Sequence, residues 1–192
     1  MAAIRFFHVV CCAVLLLASA VHAAGTDSVG PSPTWIMIDT KTLMLTVYSG
    51  NTQVLARFRN ISIGSGGATT TRRAGDSTTP LGTFHVAWVN HHSRFHIFFG
   101  LDYPTAAYGA RAYQLGIISQ ADYVAILGAA RNGAVPPQET PLGGRIGIHG
   151  LGAGNPKVHR KINWTDGCVA LSNADVDRLA KWIGVGTRVV IQ

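Results

Sequence analysis

Short runs of apolar residues, many of them alternating with polar ones, dominate the chain after about residue 33. Residues 35–38 and 43–48 are rich in β-branched and aromatic side chains, and the polar segment 39–42 between them is typical of a hairpin turn. Similar runs predict further strands at 54–63, 82–89, 94–99, 145–149 and 187–191.

Three other segments predict helices. Residues 106–115 are rich in alanine, and Ser119 with Asp122 forms a capping-box pattern ahead of 123–131. Residues 173–183 carry an apolar face and an Asp177/Lys181 pair. The Gly/Ser/Thr/Arg-rich segment 64–80 and the Pro-rich segment 133–144 are predicted loops. No repeat or long linker interrupts this pattern, which predicts a single mainly β domain with a few helices.

The first 23 residues follow a different pattern. A single charge at Arg5 precedes an apolar run at 6–18, which is too short to span a bilayer and ends in small residues. We expect residues 1–23 to be a signal peptide cleaved near Ala23, with Ala20 as a second option, and residues 24–192 to be the mature domain. The alternative is a buried N-terminal helix.

Removal of a signal peptide would change the number of cysteines in the mature protein. Cys11 and Cys12 lie in the apolar run, so only Cys168 would remain. Exported proteins generally pair their cysteines as disulfides, so a lone thiol is either buried and inert or used chemically.

The net charge limits the kinds of molecule that the protein is expected to bind. The chain has 16 Lys and Arg against 9 Asp and Glu, a net charge of +7. This balance suits an anionic partner, but export argues against nucleic acid, and the basic residues are scattered without interleaved aromatics. We expect an envelope location and no nucleic-acid binding.

Two segments of the last quarter carry candidate chemistry. An ordinary cysteine is only ~3% thiolate at neutral pH, so a nucleophilic cysteine needs an imidazole to accept its proton. His149 ends a predicted strand, and Cys168 follows Gly167 in a turn, where the N–H groups of both residues could stabilise an oxyanion. The spacing alone also fits a core histidine.

A zinc site is the competing interpretation of the histidines. His91, His92 and His96 are close in sequence, but no acidic residue accompanies them. We expect no metal, with His91 and His92 on the surface and His96 as a residue that lines a cleft.

These segments resemble the L,D-transpeptidase catalytic domain (YkuD-type) family. Ile148-His149-Gly150 and Thr165-Asp166-Gly167-Cys168 resemble its signature, in the branch that carries Thr-Asp-Gly-Cys. The segments at 75–84, 93–96, 102–104 and 110–112 extend the resemblance to about residues 33–192. It implies a YkuD-like β-sandwich or flattened mixed barrel.

The resemblance also implies an activity. Cys168 would attack the L-centre carbonyl of diaminopimelate in a peptidoglycan stem tetrapeptide, and the thioester would pass to an amine or to water. His149 would be the base, oriented by the backbone carbonyl of Gly150. The backbone N–H groups of Gly167 and Cys168, with Asp166 as a further candidate, would form the oxyanion hole. The expected substrate-binding residues are Thr165, Asp166, His96 and Arg111. The family needs no cofactor, and carbapenem β-lactams are expected inhibitors.

One departure leaves alternatives open. Many members carry arginine two residues after the cysteine, where this chain has Ala170. Hydrolysis, as an L,D-carboxypeptidase or endopeptidase or in the release of a wall-linked lipoprotein, is therefore the second interpretation. A non-catalytic wall-binding module is the third, although such a module would have no use for a lone exported thiol.

Overall fold

The computed structural model describes residues 33–192, which pack as one unit. The predicted signal peptide lies outside the described residues. Ten strands and four helices occur in this part of the chain, and none of these helices is long and apolar enough to cross a membrane. The strands are β1 Thr34–Asp39, β2 Met44–Ser49, β3 Gln53–Arg59, β4 Ala68–Thr69, β5 Thr79–Pro80, β6 Gly82–Ser93, β7 His96–Leu101, β8 Gly147–His149, β9 Val169–Ala170 and β10 Arg188–Ile191. The helices are α1 Ala106–Gln114, α2 Gln120–Arg131, α3 Pro156–His159 and α4 Asn173–Leu179.

Eight strands form one mixed sheet in the order β3-β2-β1-β10-β6-β7-β8-β9. The β1–β10 and β8–β9 pairs are parallel, and the other neighbours are antiparallel. The segment after β3 reaches the opposite end of this order, because Ser62 and Ala170 exchange both backbone hydrogen bonds. The two ends of the sheet therefore meet, as they do in a flattened mixed barrel.

The period-two pattern of the sequence explains the core. Ile36 and Ile38 of β1 lie opposite Val47 and Leu45 of β2, and all four side chains are fully buried. Alternate residues of a strand point to opposite faces, so the same register leaves Trp35 and Tyr48 stacked on the other face, with ring centroids 4.5 Å apart. The prediction of a mainly β single domain is confirmed.

The long strand β6 joins the two parts of the sheet. Its first residues pair with β10, and its later residues pair with β7 after a register shift near Trp88. Such a bulge bends a strand. The later half of β6 and its neighbour β7 form one wall of the cavity described below.

Local signals place the helices. The Ser119 hydroxyl caps α2 and Asp122 completes the predicted capping box. The last helix ends at Leu179 and not at 183, and Asp177 bonds His96 on β7 instead of the predicted Lys181. The short helix α3 was not predicted, although Asn155 at its N-cap and Pro156 at its first position are standard start signals.

Candidate active site

A cavity of about 690 Å³ opens beside the catalytic candidates. One wall comes from β6 and β7, including Trp88 and Phe98, and another from the loop 132–146, including Arg145. His149, Trp164 and Cys168 complete it, with Thr165 and Asp166 between the last two. The cavity therefore brings together both predicted chemical groups and two of the predicted substrate-binding residues.

The parallel β8–β9 pair determines how the two chemical groups meet. Ile148 lies opposite Val169, and His149 opposite Ala170. Cys168 precedes β9 by one residue, so the register puts it across from Gly147 and on the same face as His149. Gly147 has no side chain, and a Cβ there would lie 2.5 Å from the Phe98 ring.

His149 is held rigidly without a carboxylate. Its Nδ1–H donates to the Gly150 carbonyl at 2.6 Å, and the ring stacks on Phe95 with centroids 4.3 Å apart. A donor at Nδ1 leaves Nε2 as the acceptor of the neutral ring. The imidazole is therefore fixed in the tautomer that can take up a proton at Nε2.

Burial keeps both groups neutral at rest. Burial lowers the pKa of His149 to about 4, against the opposing effect of the Gly150 carbonyl. It also raises the pKa of the Cys168 thiol to about 11, against the opposing effects of the Gly147 backbone and the Arg72 charge. The half-buried thiol donates to the Arg145 carbonyl at 3.4 Å. Both pKa shifts favour a thiol and a neutral imidazole in the resting site.

Gly167 is required by the geometry of the turn before Cys168. Its φ is +119°, and a Cβ at this position would lie 2.5 Å from the Thr78 carbonyl oxygen. The Gly167 N–H donates to the Thr165 hydroxyl at 3.2 Å, and that hydroxyl donates to the Cys168 carbonyl at 2.6 Å. The Gly167 N–H is thus engaged by Thr165 in this structure, and its place in an oxyanion hole stays a prediction.

The Cys168 N–H remains as the backbone donor of this turn. It donates to no acceptor among residues 33–192. Thr165, buried and bonded on both sides, holds the turn together, and Asp166 accepts from the Ser77 hydroxyl at 3.1 Å.

Two predicted substrate-binding residues lie elsewhere. His96 is exposed at the start of β7 and bonds Asp177 at 2.8 Å, and Arg111 is exposed on α1. Neither lines the cavity that holds Cys168. The tertiary arrangement thus places both away from the cavity of the thiol, and their role in substrate binding stays a prediction.

Two other residues near the site carry no motif that singles them out in the sequence. His159 is buried, and its Nδ1 accepts from the Trp164 indole at 3.2 Å. Arg72 is also buried and lines the cavity. Nothing in the Thr/Arg-rich sequence around Arg72 distinguishes it from its exposed neighbour Arg73.

The described residues 33–192 contain no group of three or more His, Cys, Asp or Glu side chains that could hold a metal ion. His91 and His92 are exposed on β6. The chemistry that the cavity can support with its own groups is attack by the Cys168 sulfur with proton transfer through His149.

Solved structures of similar fold support this reading of the architecture. The helical cell shape determining protein Pgp2 from Campylobacter jejuni is 17% identical with a TM-score of 0.58, covering 85% of this chain and 49% of that one. Bd1075 from Bdellovibrio bacteriovorus is 18% identical with a TM-score of 0.53, covering 84% and 48%. The Ldtfm-avibactam carbamoyl enzyme is 15% identical with a TM-score of 0.50, covering 84% and 49%. This chain thus spans about half the length of the structures it matches.

A comparison with curated protein sequences gave no match. The family model of the L,D-transpeptidase catalytic domain, YkuD, matches residues 33–191, which is nearly the whole described part of the chain. The chain therefore belongs to the L,D-transpeptidase catalytic domain family.

Proposed function

We propose that this protein is a peptidoglycan L,D-transpeptidase that works through a Cys168 thioester. The observation that carries the proposal is the shared cavity of Cys168 and His149, with the imidazole fixed by the Gly150 carbonyl. Membership of the family supplies the substrate class. The donor is a stem tetrapeptide, attacked at the L-centre carbonyl of diaminopimelate.

The thiol S–H must first rotate away from the Arg145 carbonyl so that its proton can be transferred to Nε2 of His149. The sulfur then bonds to the carbonyl carbon, and the proton passes from His149 to the departing amine as the C–N bond breaks, which releases D-alanine. An acceptor amine, or water, next attacks the thioester and returns a proton to the thiolate through the same imidazole.

The oxyanion formed in each step needs a donor. The Cys168 N–H is the backbone group we assign to it, because the Gly167 N–H is held by Thr165. Removing one such donor typically costs ~10²–10³ in rate, so a rigid turn around Cys168 matters for turnover.

Ala170 bears on the fate of the thioester. It is fully buried and both its backbone groups bond Ser62, so the side chain at this position is not available to a substrate carboxylate. Whether the thioester is transferred to an amine or hydrolysed by water is therefore left to measurement. For hydrolysis, a wall-linked lipoprotein is one proposed class of substrate.

The test is mass spectrometry of a purified disaccharide-tetrapeptide incubated with the protein, with and without added D-methionine. A cross-linked dimer or a D-methionine-exchanged stem indicates transfer, and a tripeptide alone indicates hydrolysis. An unchanged tetrapeptide would contradict the proposal and favour a non-catalytic wall-binding module.

Three wider parts of the proposal rest on the sequence, a relative and the family. The N-terminal pattern supports export to the periplasm, with cleavage near Ala23. Pgp2 is described as determining helical cell shape, and we extend to this chain a role in cell-wall biogenesis and cell shape. Membership of the family supports acylation of Cys168 by carbapenems.

A further inference from the structure

Arg72 is a buried cation that forms no direct ion pair with a carboxylate in the described part of the chain. Its residue is 5% exposed, and each ion pair found within residues 33–192 involves other side chains. The Arg72 charge helps to lower the pKa of the Asp76 carboxyl, but the two side chains form no direct ion pair. Burying a cation without a direct ion pair is costly, so a cation at this position calls for an explanation beyond packing.

Its guanidinium ties together three separate loops through backbone carbonyls. Nε donates to Thr78 O at 2.9 Å, Nη1 to Leu142 O at 2.5 Å and Nη2 to Asp166 O at 3.1 Å. These carbonyls belong to the loop before β5, the loop before β8 and the turn before Cys168. The planar fork of arginine can make such divergent contacts, whereas the single ammonium of lysine cannot make all three.

The contact with Asp166 fixes the peptide plane next to the nucleophile. A trans peptide directs its C=O and N–H to opposite sides. Because Arg72 holds the Asp166 carbonyl, the Gly167 N–H of the same peptide is directed away, onto the Thr165 hydroxyl at 3.2 Å. That hydroxyl in turn bonds the Cys168 carbonyl, so Arg72 supports the whole turn.

The position of Arg72 also places positive charge beside the thiol. The guanidinium lines the cavity that contains Cys168, and a Cβ on the intervening Gly167 would lie 3.0 Å from Arg72 Nε. The charge opposes the effect of burial on the thiol pKa. Attack and acyl transfer both create negative charge here, on sulfur or on the substrate oxygen, and the buried cation would stabilise that charge.

We propose that Arg72 is a positioning residue of the active site that holds the Cys168 turn and favours the anionic form of Cys168. The role in turnover rests on the proposed function, whereas the effect on the thiol does not. The other interpretation is a purely structural clamp, which would stabilise the loops without changing the reactivity of the thiol.

The test compares R72M, R72K and R73M in the full chain. Arg73 is the matched control, since it is exposed and carries the same charge one residue away. The first readout is the rate of iodoacetamide alkylation at pH 8, followed by mass spectrometry of the peptide that contains Cys168. This rate follows the thiolate fraction and needs no wall substrate.

We expect R72M to alkylate at Cys168 about tenfold more slowly than the wild type and R73M. This corresponds to a rise of about two units in the thiol pKa, because the thiolate fraction falls about hundredfold while the more basic thiolate is about tenfold more nucleophilic. R72K keeps the charge but loses the fork. It should alkylate within about threefold of the wild type, yet be acylated by tetrapeptide more than about tenfold more slowly.

Alkylation of folded R72M at the rate of R73M would overturn the proposal. If R72M does not fold, as judged by circular dichroism, the alkylation and peptide acylation rates of R72K are the test. Slower peptide acylation with preserved alkylation supports the proposal, and unchanged acylation overturns it. A wild-type protein that alkylates normally but never reacts with tetrapeptide would count against the proposed function and not against the effect of Arg72 on the thiol.

Discussion

At the scale of single residues, burial determines where the protons rest. His149 is buried and Cys168 half-buried in the cavity, and the pKa of each group is shifted toward its neutral form. These shifts disfavour a thiolate–imidazolium pair in the resting site. The site must lower the barrier to a proton transfer that occurs as the sulfur attacks, which makes the tautomer fixed by Gly150 the central feature.

The first prediction compares two histidines. H149Q should slow acylation of Cys168 by a carbapenem ~10²–10⁴-fold, because glutamine can bond Gly150 but cannot take up the proton. H96Q should stay within about threefold of the wild type, since His96 is exposed and lies outside the cavity. Mass-resolved acylation kinetics measure both. Equal losses would mean that the two histidines share the proton transfer, and a larger loss in H96Q would mean that His149 is not the base.

The second prediction concerns pH. Only neutral His149 can accept the thiol proton, and its pKa in the folded protein is about 4. The acid limb of kcat/KM for peptide acylation should therefore lie near pH 4 and not near 6.5, because kcat/KM reports the free enzyme. A limb at 6.5 in the rate profile would show that the imidazole is not desolvated in solution.

The same shift affects stability. The pKa of His149 is lower in the folded than in the unfolded chain, so the unfolded chain takes up a proton first as the pH falls. The contribution of neutral His149 to the free energy of unfolding is fully present above pH 6.5. It is lost progressively as the pH falls to about 4, by an amount on the order of 3 kcal/mol. H149Q should lose this part of the pH dependence of the free energy of unfolding.

At the scale of elements, the site depends on two short strands and one turn. β8 and β9 contain three and two residues, yet their register puts the nucleophile and the base on one face. Sequence patterns predicted β8 from its apolar residues but not β9, which is too short to show a period. The engaged Gly167 amide and the buried His159 were also missed, because both depend on contacts with distant segments.

The third prediction tests this turn through its glycine. G167A should lower the free energy of unfolding by about 1–3 kcal/mol, because alanine is strained at a φ of +119° and its Cβ would meet the Thr78 carbonyl. G128A is the control. Nothing lies within 4 Å of a Cβ there, and alanine favours a helix over glycine by about 1 kcal/mol. Chemical denaturation measures both, and a G167A protein as stable as G128A would show that the turn is not constrained.

At the scale of the whole molecule, alternation along the strands was enough to predict the architecture. β1, β2 and β10 match their predicted runs to within one residue at each end, whereas β6 begins as predicted but ends at Ser93 instead of 89. The sheet order could not be read from alternation. It depends on the parallel pairing of β1 with β10, which joins the beginning and the end of the described chain.

The fourth prediction concerns export. The charge at Arg5 and the apolar run at 6–18 predict a mature protein that begins near Ala24 in the periplasm of a Gram-negative-type cell. N-terminal sequencing of protein from the periplasmic fraction should find this start. An intact Met1 on protein confined to the cytoplasmic fraction would contradict the proposed location and leave the wall substrate out of reach.

The most direct test of the account is to trap the acyl-enzyme. Wild-type protein is mixed with tetrapeptide, quenched in acid within one turnover and digested, and the peptide that contains Cys168 is weighed. We predict an adduct on this peptide equal in mass to the tetrapeptide minus D-alanine, and no adduct on the C168A variant. An adduct on another residue, or turnover of tetrapeptide by folded C168A, would contradict the assignment of Cys168 as the nucleophile.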